Sequence, residues 1–255
     1  MNLCNILVTG GLGFFRSSII KALNARGITE LTVVDDLTDK SKLINITSCT
    51  ITDYLDISEF RTAMATDFLD SNVKRVIDLK YTMLKEILHF YGGSIRIYSS
   101  LMDVVNEKVQ QNDPKYKTIP LNVHSFSKSL FDQYVARQKR PQIVGLRYFD
   151  VYGPGEQHNI HRASMVYEMH KTLKCGDEIY ILGSDEGYEP AMLSRDFIHV
   201  DDVAKVNMWF LEHLEVDGIF DVGTGRLETD AGFDGEMRSL ADVVKEYVYL
   251  AKAEI

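Results

Sequence analysis

The chain opens with a short apolar run, Asn5–Thr9 (NILVT), that breaks at Gly10-Gly11-Leu12-Gly13 and resumes as an amphipathic segment. In that segment Phe15, Ile19, Ala22 and Leu23 recur at helical spacing, and Arg26-Gly27 supplies a glycine stop. A second β-branched run, Leu31–Val34, ends at Asp35-Asp36. Few folds accept a strand, a glycine turn, a helix, a second strand and a terminal carboxylate in this order. Glycines permit the tight turn and a close backbone approach, and a helix N-terminus offers unpaired N–H groups to an anion. An acidic residue at the end of the following strand is placed to accept from ribose hydroxyls. The pattern points to a dinucleotide site on Gly10, Gly11, Gly13 and Asp35, against the plainer reading of a glycine turn without a ligand. Arg16 stands where the fingerprint has its third glycine, a position of close helix–strand packing. Two outcomes are open there: the guanidinium contacts phosphate, or it pushes the helix off the sheet.

The same alternation continues. Val73–Leu79 and Ile95–Ser99 read as strands with a helical Met83–Phe90 between them, and Val123–Arg137 reads as a helix before the strand Ile143–Tyr148. Met165–Leu173 is helical, Phe197–Val200 is a strand feeding the helix Asp201–His213, and Ile219–Val222 is another strand. Gly225–Arg238 is acidic and glycine-containing and reads as a surface loop. Ser239 and Asp242, at capping-box spacing, open a terminal helix that runs through Val243, Val244, Tyr247 and Val248. Strand–helix–strand at this rhythm predicts an α/β fold, a Rossmann-type doubly wound parallel sheet. With 255 residues, 45% of them hydrophobic, the chain suits one large domain carrying a small lobe. We place a dinucleotide-binding Rossmann domain at 1–155 and a reduced C-terminal substrate lobe, interleaved with the last Rossmann elements, at 156–255.

Charge narrows the partners. Lys and Arg number 28 against 37 Asp and Glu, a net −9 and a pI near 5.3, with no basic block, so nucleic acid is not expected as a partner. Cys4, Cys49 and Cys175 are odd in number and lack metal-ligand spacing, which reads as reduced thiols. No apolar run approaches the roughly 20 residues that span a bilayer, and the N-terminus has no cationic region of a signal peptide. A cytoplasmic protein without membrane association is the expectation.

Several stretches carry a more specific likeness: Val8–Phe14 (VTGGLGF), Val33–Leu37 (VVDDL), Pro120–Val123 (PLNV), Ser127–Asp132 (SKSLFD) and Gln142–Phe149 (QIVGLRYF). Val151–Pro154 (VYGP), Arg195–Phe197 (RDF), Asn207–Glu212 (NMWFLE) and Gly223–Arg226 (GTGR) extend it along most of the chain. In these the chain resembles the extended short-chain dehydrogenase/reductases, and within them the ADP-L-glycero-D-manno-heptose 6-epimerase family. The resemblance implies an NADP-dependent nucleotide-sugar epimerase of lipopolysaccharide core biosynthesis, acting on an ADP-heptose; whether it forms a homo-oligomer stays open. It further implies cofactor contacts at Gly10, Gly13, Phe14, Phe15, Asp35, Asp36 and Lys42, with Lys42 beside the 2′-phosphate. Ser100 would hydrogen-bond the reacting hydroxyl, and Asp150, His161, Gly183, Ser184 and Arg195 would line the substrate, with Arg195 suited to bidentate phosphate recognition.

The likeness has departures. The family pairs a tyrosine with a lysine one helical turn on; here the lysine is Lys128 and the tyrosine position holds His124. An imidazole, titrating near about pH 6.5, can accept a proton at neutral pH but is shorter than a phenol. A helix histidine without a chemical role is the competing reading. The second proton-transfer position falls on Asn159, flanked by His158, His161 and Arg162; without carboxylate or cysteine partners these histidines do not read as a metal site. Asp150 replaces an asparagine, exchanging an amide for an acceptor-only carboxylate. Asp36 does the same beside Asp35, and two carboxylates should repel a 2′-phosphate, so NAD stays open beside NADP. The stretch after Val76–Asp78 is shorter than in the family, and so is the C-terminal part. An epimerase, a catalytically silent dinucleotide-binding protein and a degenerate descendant with no ligand therefore remain the three readings.

Overall fold

The computed structural model of the chain describes residues 6–65, 75–78, 95–101, 133, 137, 143–158, 163–175, 194–225, 228–229 and 248–249. The opening apolar run forms β1 (Ile6–Thr9), with every residue buried. A strand covered on both faces needs apolar side chains throughout, which is why this run does not alternate. It pairs in parallel with β2 (Leu31–Asp35) on one side and β4 (Arg75–Asp78) on the other. β3 (Asp53–Asp56) joins β2 in parallel at the outer rim. On the far side β5 (Ile95–Leu101), β6 (Ile143–Tyr148) and β10 (Gly218–Val222) continue the parallel ladder. β12 (Val248–Tyr249) closes that side antiparallel to β10. The resulting eight-stranded sheet runs β12-β10-β6-β5-β4-β1-β2-β3. The strand order reverses direction between β1 and β4, which opens a crevice at their carboxyl ends. This is the doubly wound arrangement the alternation predicts.

Helix α1 (Phe14–Ala25) packs Ile19, Ile20 and Leu23 into the core, beside β1 and β2 side chains. Its end is a Schellman motif: Ile28 N–H donates to Leu23 O at 3.0 Å and Gly27 N–H to Asn24 O at 2.9 Å, with Gly27 at φ +76°. Between β3 and the rest, α2 (Ile57–Ala65) begins with a reciprocal capping box. Asp56 Oδ1 accepts from Ser58 N–H at 2.8 Å while Glu59 Oε2 accepts from Asp56 N–H at 3.3 Å. α3 (Met165–Lys174) follows in the second half, and α4 (Val200–Glu212) lies against α1, burying Val203, Val206 and Phe210. Each large aliphatic or aromatic side chain so buried contributes about 1.5–3 kcal/mol. Tyr148, buried at the end of β6, accepts from Asn207 Nδ2 of α4 at 2.7 Å, so the polar pair inside this apolar layer is satisfied.

Two small sheets flank the large one. β7 (Asp150–Tyr152) pairs in parallel with β9 (Phe197–His199), and β8 (Ser194–Arg195) pairs antiparallel with β11 (Glu228–Thr229). Here two expectations are corrected. The terminal helix was expected to run through Val248, yet Val248 pairs with Val222 as a strand, because the ladder beside β10 offers backbone partners that capping-box spacing does not reveal. The loop expected over Gly225–Arg238 contains β11, held by Arg195 and Ser194 of β8. The helices expected at Met83–Phe90 and Val123–Arg137 fall outside the described residues, save positions 133 and 137 in the second. Among the described residues no helix is long and apolar enough to cross a membrane.

Candidate dinucleotide site

Gly10 leaves β1 at φ +60°, a conformation that suits glycine, and donates its N–H to Val34 O across the strand pair. Gly13 N–H returns to Gly10 O at 3.0 Å, closing the turn, and Ser17 N–H donates to Gly13 O at 3.0 Å as the first bond of α1. At Gly11 a Cβ would lie 2.6 Å from Val33 Cγ1 and 2.9 Å from Ile20 Cδ1, so the backbone is clamped between strand and helix where no side chain fits. The α1 N-cap, Gly13, provides no side-chain cap, and the first turn carries no acid. The helix therefore presents its opening amides and the positive end of its dipole with no capping side chain or first-turn acid of its own to neutralise them. That is a fit for a diphosphate.

Arg16 does not displace the helix. Its side chain folds back along Gly10, with Nη1 donating to Gly10 O at 3.2 Å, and occupies the space a Cβ on Gly10 would need. Of the two outcomes open from sequence, the helix keeps its packing, and a fixed positive charge is added to the turn.

Asp35 organises the rest. It is 5% exposed. Its Oδ2 accepts from Leu12 N–H at 2.8 Å and its Oδ1 from Asp36 N–H at 2.7 Å, while Lys42 Nζ stands 3.8 Å from Oδ1. Its carbonyl accepts from Tyr54 OH at 2.9 Å. Burial first, and then the nearby Asp35, Asp56 and Asp36 charges, push the Tyr54 phenol up to about 12, so it remains a donor. Asp36 Oδ1 accepts from Thr38 N–H at 2.7 Å, turning the chain toward the 3-10 helix Lys40–Asn45 that carries Lys42. Gly10, Gly13, Phe14, Phe15, Asp35, Asp36 and Lys42 are thus gathered around one turn. The Phe14 and Phe15 rings lie 4.9 Å apart, tilted by 38°, and Phe15 meets Tyr148 at 6.0 Å.

Two residues at this site escaped the sequence reading. Asn45, 2% exposed at the end of the 3-10 helix, donates Nδ2 to Leu12 O at 3.0 Å and to Gly155 O at 3.2 Å. Glu156, 3% exposed, accepts from Gly153 N–H at 3.0 Å, from Ser164 Oγ at 2.9 Å and from Ser164 N–H. Burial pushes the Glu156 carboxyl up, against the lowering effect of those hydrogen bonds. A carboxylate following Pro154-Gly155 was the available signal for Glu156; for Asn45 there was none.

The other anticipated residues divide by position. Ser100 lies near the carboxyl end of β5, opposite Arg147 of β6, and Asp150 opens β7 directly after β6. Both therefore sit at the carboxyl edge of the sheet, as the glycine turn does. Asp150 N–H donates to Asp196 O at 3.1 Å. Arg195 lies in β8, opposite Glu228. His124, Lys128, Asn159, His161, Gly183 and Ser184 lie outside the described residues. Nearby, buried Asp196 fixes the end of β10: Oδ1 accepts from Thr224 N–H at 2.7 Å and Thr224 Oγ1 at 2.6 Å, and Oδ2 from Gly225 N–H at 2.8 Å.

Comparison with known proteins agrees with this geometry. A model of the NAD dependent epimerase/dehydratase family matches residues 58–223. The ADP-L-glycero-D-manno-heptose-6-epimerase of Thiobacillus denitrificans is 37% identical over 245 residues, covering 88% of this chain and 74% of that protein. Among solved structures, the Helicobacter pylori ADP-L-glycero-D-manno-heptose-6-epimerase superposes with a TM-score of 0.69 at 21% identity, covering 89% of this chain and 78% of that one. The Thermotoga maritima UDP-glucose 4-epimerase, solved with UDP-glucose, gives 0.71 at 24% identity, over 98% of this chain and 91% of that one.

Proposed function

The chain belongs to the NAD dependent epimerase/dehydratase family, and from that premise we propose that it is an NADP-dependent nucleotide-sugar epimerase acting on an ADP-heptose. The observation that carries the reading is the carboxylate-locked glycine turn at the reversal of strand order, in a chain 37% identical to a heptose epimerase. A bound nicotinamide supplies hydride exchange at the sugar carbon. The chain's own residues bind and orient. The α1 N-terminus and Arg16 receive the diphosphate, and Asp35 holds the turn while facing the adenosine ribose. Lys42 is the cation for a 2′-phosphate, with NAD the competing cofactor because Asp35 and Asp36 stand beside it.

Ser100, at the carboxyl edge of the sheet, hydrogen-bonds the reacting hydroxyl, and His124 is assigned to accept its proton at neutral pH. Lys128, four residues on in the sequence, is assigned to hold the ribose and to favour the neutral imidazole by charge repulsion. Asp150, His161, Gly183, Ser184 and Arg195 receive the sugar nucleotide, Arg195 at its phosphates. We assign the dinucleotide-binding part to residues 1–155, the substrate lobe, interleaved with the last Rossmann elements, to 156–255 and the place of action to the cytoplasm.

Incubation with either ADP-heptose epimer, followed by NMR that resolves the two configurations at C6, tests the proposal. Interconversion is expected; its absence in a protein that still binds a nicotinamide dinucleotide leaves the silent binding protein, a reading that His124 at the tyrosine position favours. His124→Tyr restores a phenol above Lys128 and should raise the rate about tenfold or more. A variant no faster than its parent would remove His124 as the limiting departure.

A further inference from the structure

Asn45 sits in a short surface 3-10 helix and is nevertheless 2% exposed. Its Nδ2 carries two hydrogens and has three acceptors in reach: Leu12 O at 3.0 Å, Gly155 O at 3.2 Å and His158 Nδ1 at 3.1 Å. His158 Nδ1 lies 2.9 Å from Gly155 O. A proton on that nitrogen goes to the Gly155 carbonyl, which leaves both Asn45 hydrogens for Leu12 and Gly155. The other end of the amide is unsatisfied: Oδ1 is buried without a hydrogen-bond partner among the described residues. It faces Gly155, where a Cβ would lie 3.4 Å from Oδ1 and 3.4 Å from the Phe14 ring.

An orphaned buried carbonyl costs stability, and an apolar side chain would avoid it. What an apolar side chain could not do is donate to two carbonyls at once. Those carbonyls belong to separate parts of the site: Leu12 to the glycine turn, and Gly155 to the segment after β7. That segment is secured again by Glu156, through Gly153 N–H and Ser164. One amide thus joins the turn offered to a diphosphate to the stretch leading toward the second proton-transfer position.

We propose that Asn45 is a positioning residue that couples the two, so that a dinucleotide on the glycine turn steadies residues 153–158, and steadying them strengthens dinucleotide binding in return. The second half of this statement rests on the dinucleotide reading; the first, that the two segments are mechanically joined, does not. Hydrogen–deuterium exchange of the full chain, with and without NADPH, tests both. In the parent protein NADPH should slow exchange at residues 10–13 and at 153–158. In Asn45→Ala without ligand, exchange should rise about tenfold in both segments together, and NADPH should protect the turn but no longer 153–158. Retained NADPH protection of 153–158 in the variant overturns the coupling, as does a rise confined to residues 40–50. If neither NADPH nor NADH protects either segment of the parent, the dinucleotide reading fails, and the ligand-free arm decides alone: a joint rise supports the strut and unchanged exchange overturns it. Asn45→Ser, which keeps one donor, is read the same way should Asn45→Ala not fold.

Discussion

Arg16 occupies a position where a glycine would be the packing solution, and the structure shows how the cost is contained. The side chain lies along the bare face of Gly10 and donates to its carbonyl, so the charge is fixed rather than floating. Removing the charge while keeping a polar side chain, as in Arg16→Gln, should weaken dinucleotide binding about fivefold, from one unit charge acting at a few ångströms in a half-solvated medium. The salt dependence of binding should flatten with it, read by titration of NADPH fluorescence at two ionic strengths; an unchanged affinity and slope would exclude Arg16 from the phosphate site. Glu156 makes a prediction in pH. Its carboxyl titrates above the ordinary 4.5 in the fold because burial disfavours the charge. The folded chain then binds this proton more tightly than the unfolded chain, so stability present below 4.5 is lost as pH rises through the raised value. Thermal unfolding of the parent against Glu156→Gln should show the parent's relative melting temperature falling across that window; a constant difference would mean the carboxyl does not titrate there. Asn45 and Glu156 also mark what the sequence could not disclose. Asn45 reaches partners 33 and 110 residues away, and both are backbone carbonyls, which no residue type announces. The place of Asp35 beside the turn was legible because it follows from its position at the end of the strand after the glycine turn.

Among the elements, those buried on both faces were the readable ones. β1, β2 and β6 are mostly apolar and buried along nearly their whole length because helices cover the sheet, and α1 and α4 show one apolar stripe each. Short strands were missed for the converse reason. β8, β11 and β12 are two residues long, and their existence depends on a distant partner strand rather than on their own pattern. α2 went unread, although Asp56 and Glu59 stand at the capping-box spacing that opens it. The end of β10 depends on closeness. A Cβ at Gly223 would meet Asp196 Oδ2 and come within 2.6 Å of Phe149 Cδ2, although the buried Asp196 carboxylate has three donors to keep. Gly223→Ala should cost about 2 kcal/mol, and roughly 4–8 °C in melting temperature, by forcing that carboxylate off its amides. A melting point within a degree of the parent would show that the strand end can yield.

For the whole molecule, the two sides of the sheet meet at β1 and β4, and a ligand held there stabilises the entire fold rather than one lobe. Dinucleotide at a hundred times its dissociation constant adds about 2.7 kcal/mol, or roughly 5–10 °C. The shift is expected to be larger with NADPH than with NADH, since Lys42 stands beside Asp35. Equal shifts would reassign Lys42 to the carboxylate alone. At the opposite extreme of the sheet, β3 begins at Asp53 and ends at Asp56. Hydrogen bonds from Ser58 hold the Asp56 carboxyl below its usual range, so its charge survives into mild acid. A neighbouring chain trying to extend the sheet past this rim would have to press its own backbone against fixed negative charge. Edge-to-edge stacking of copies is thereby discouraged wherever the carboxylates are ionised, and acidification is the condition that would lift the barrier.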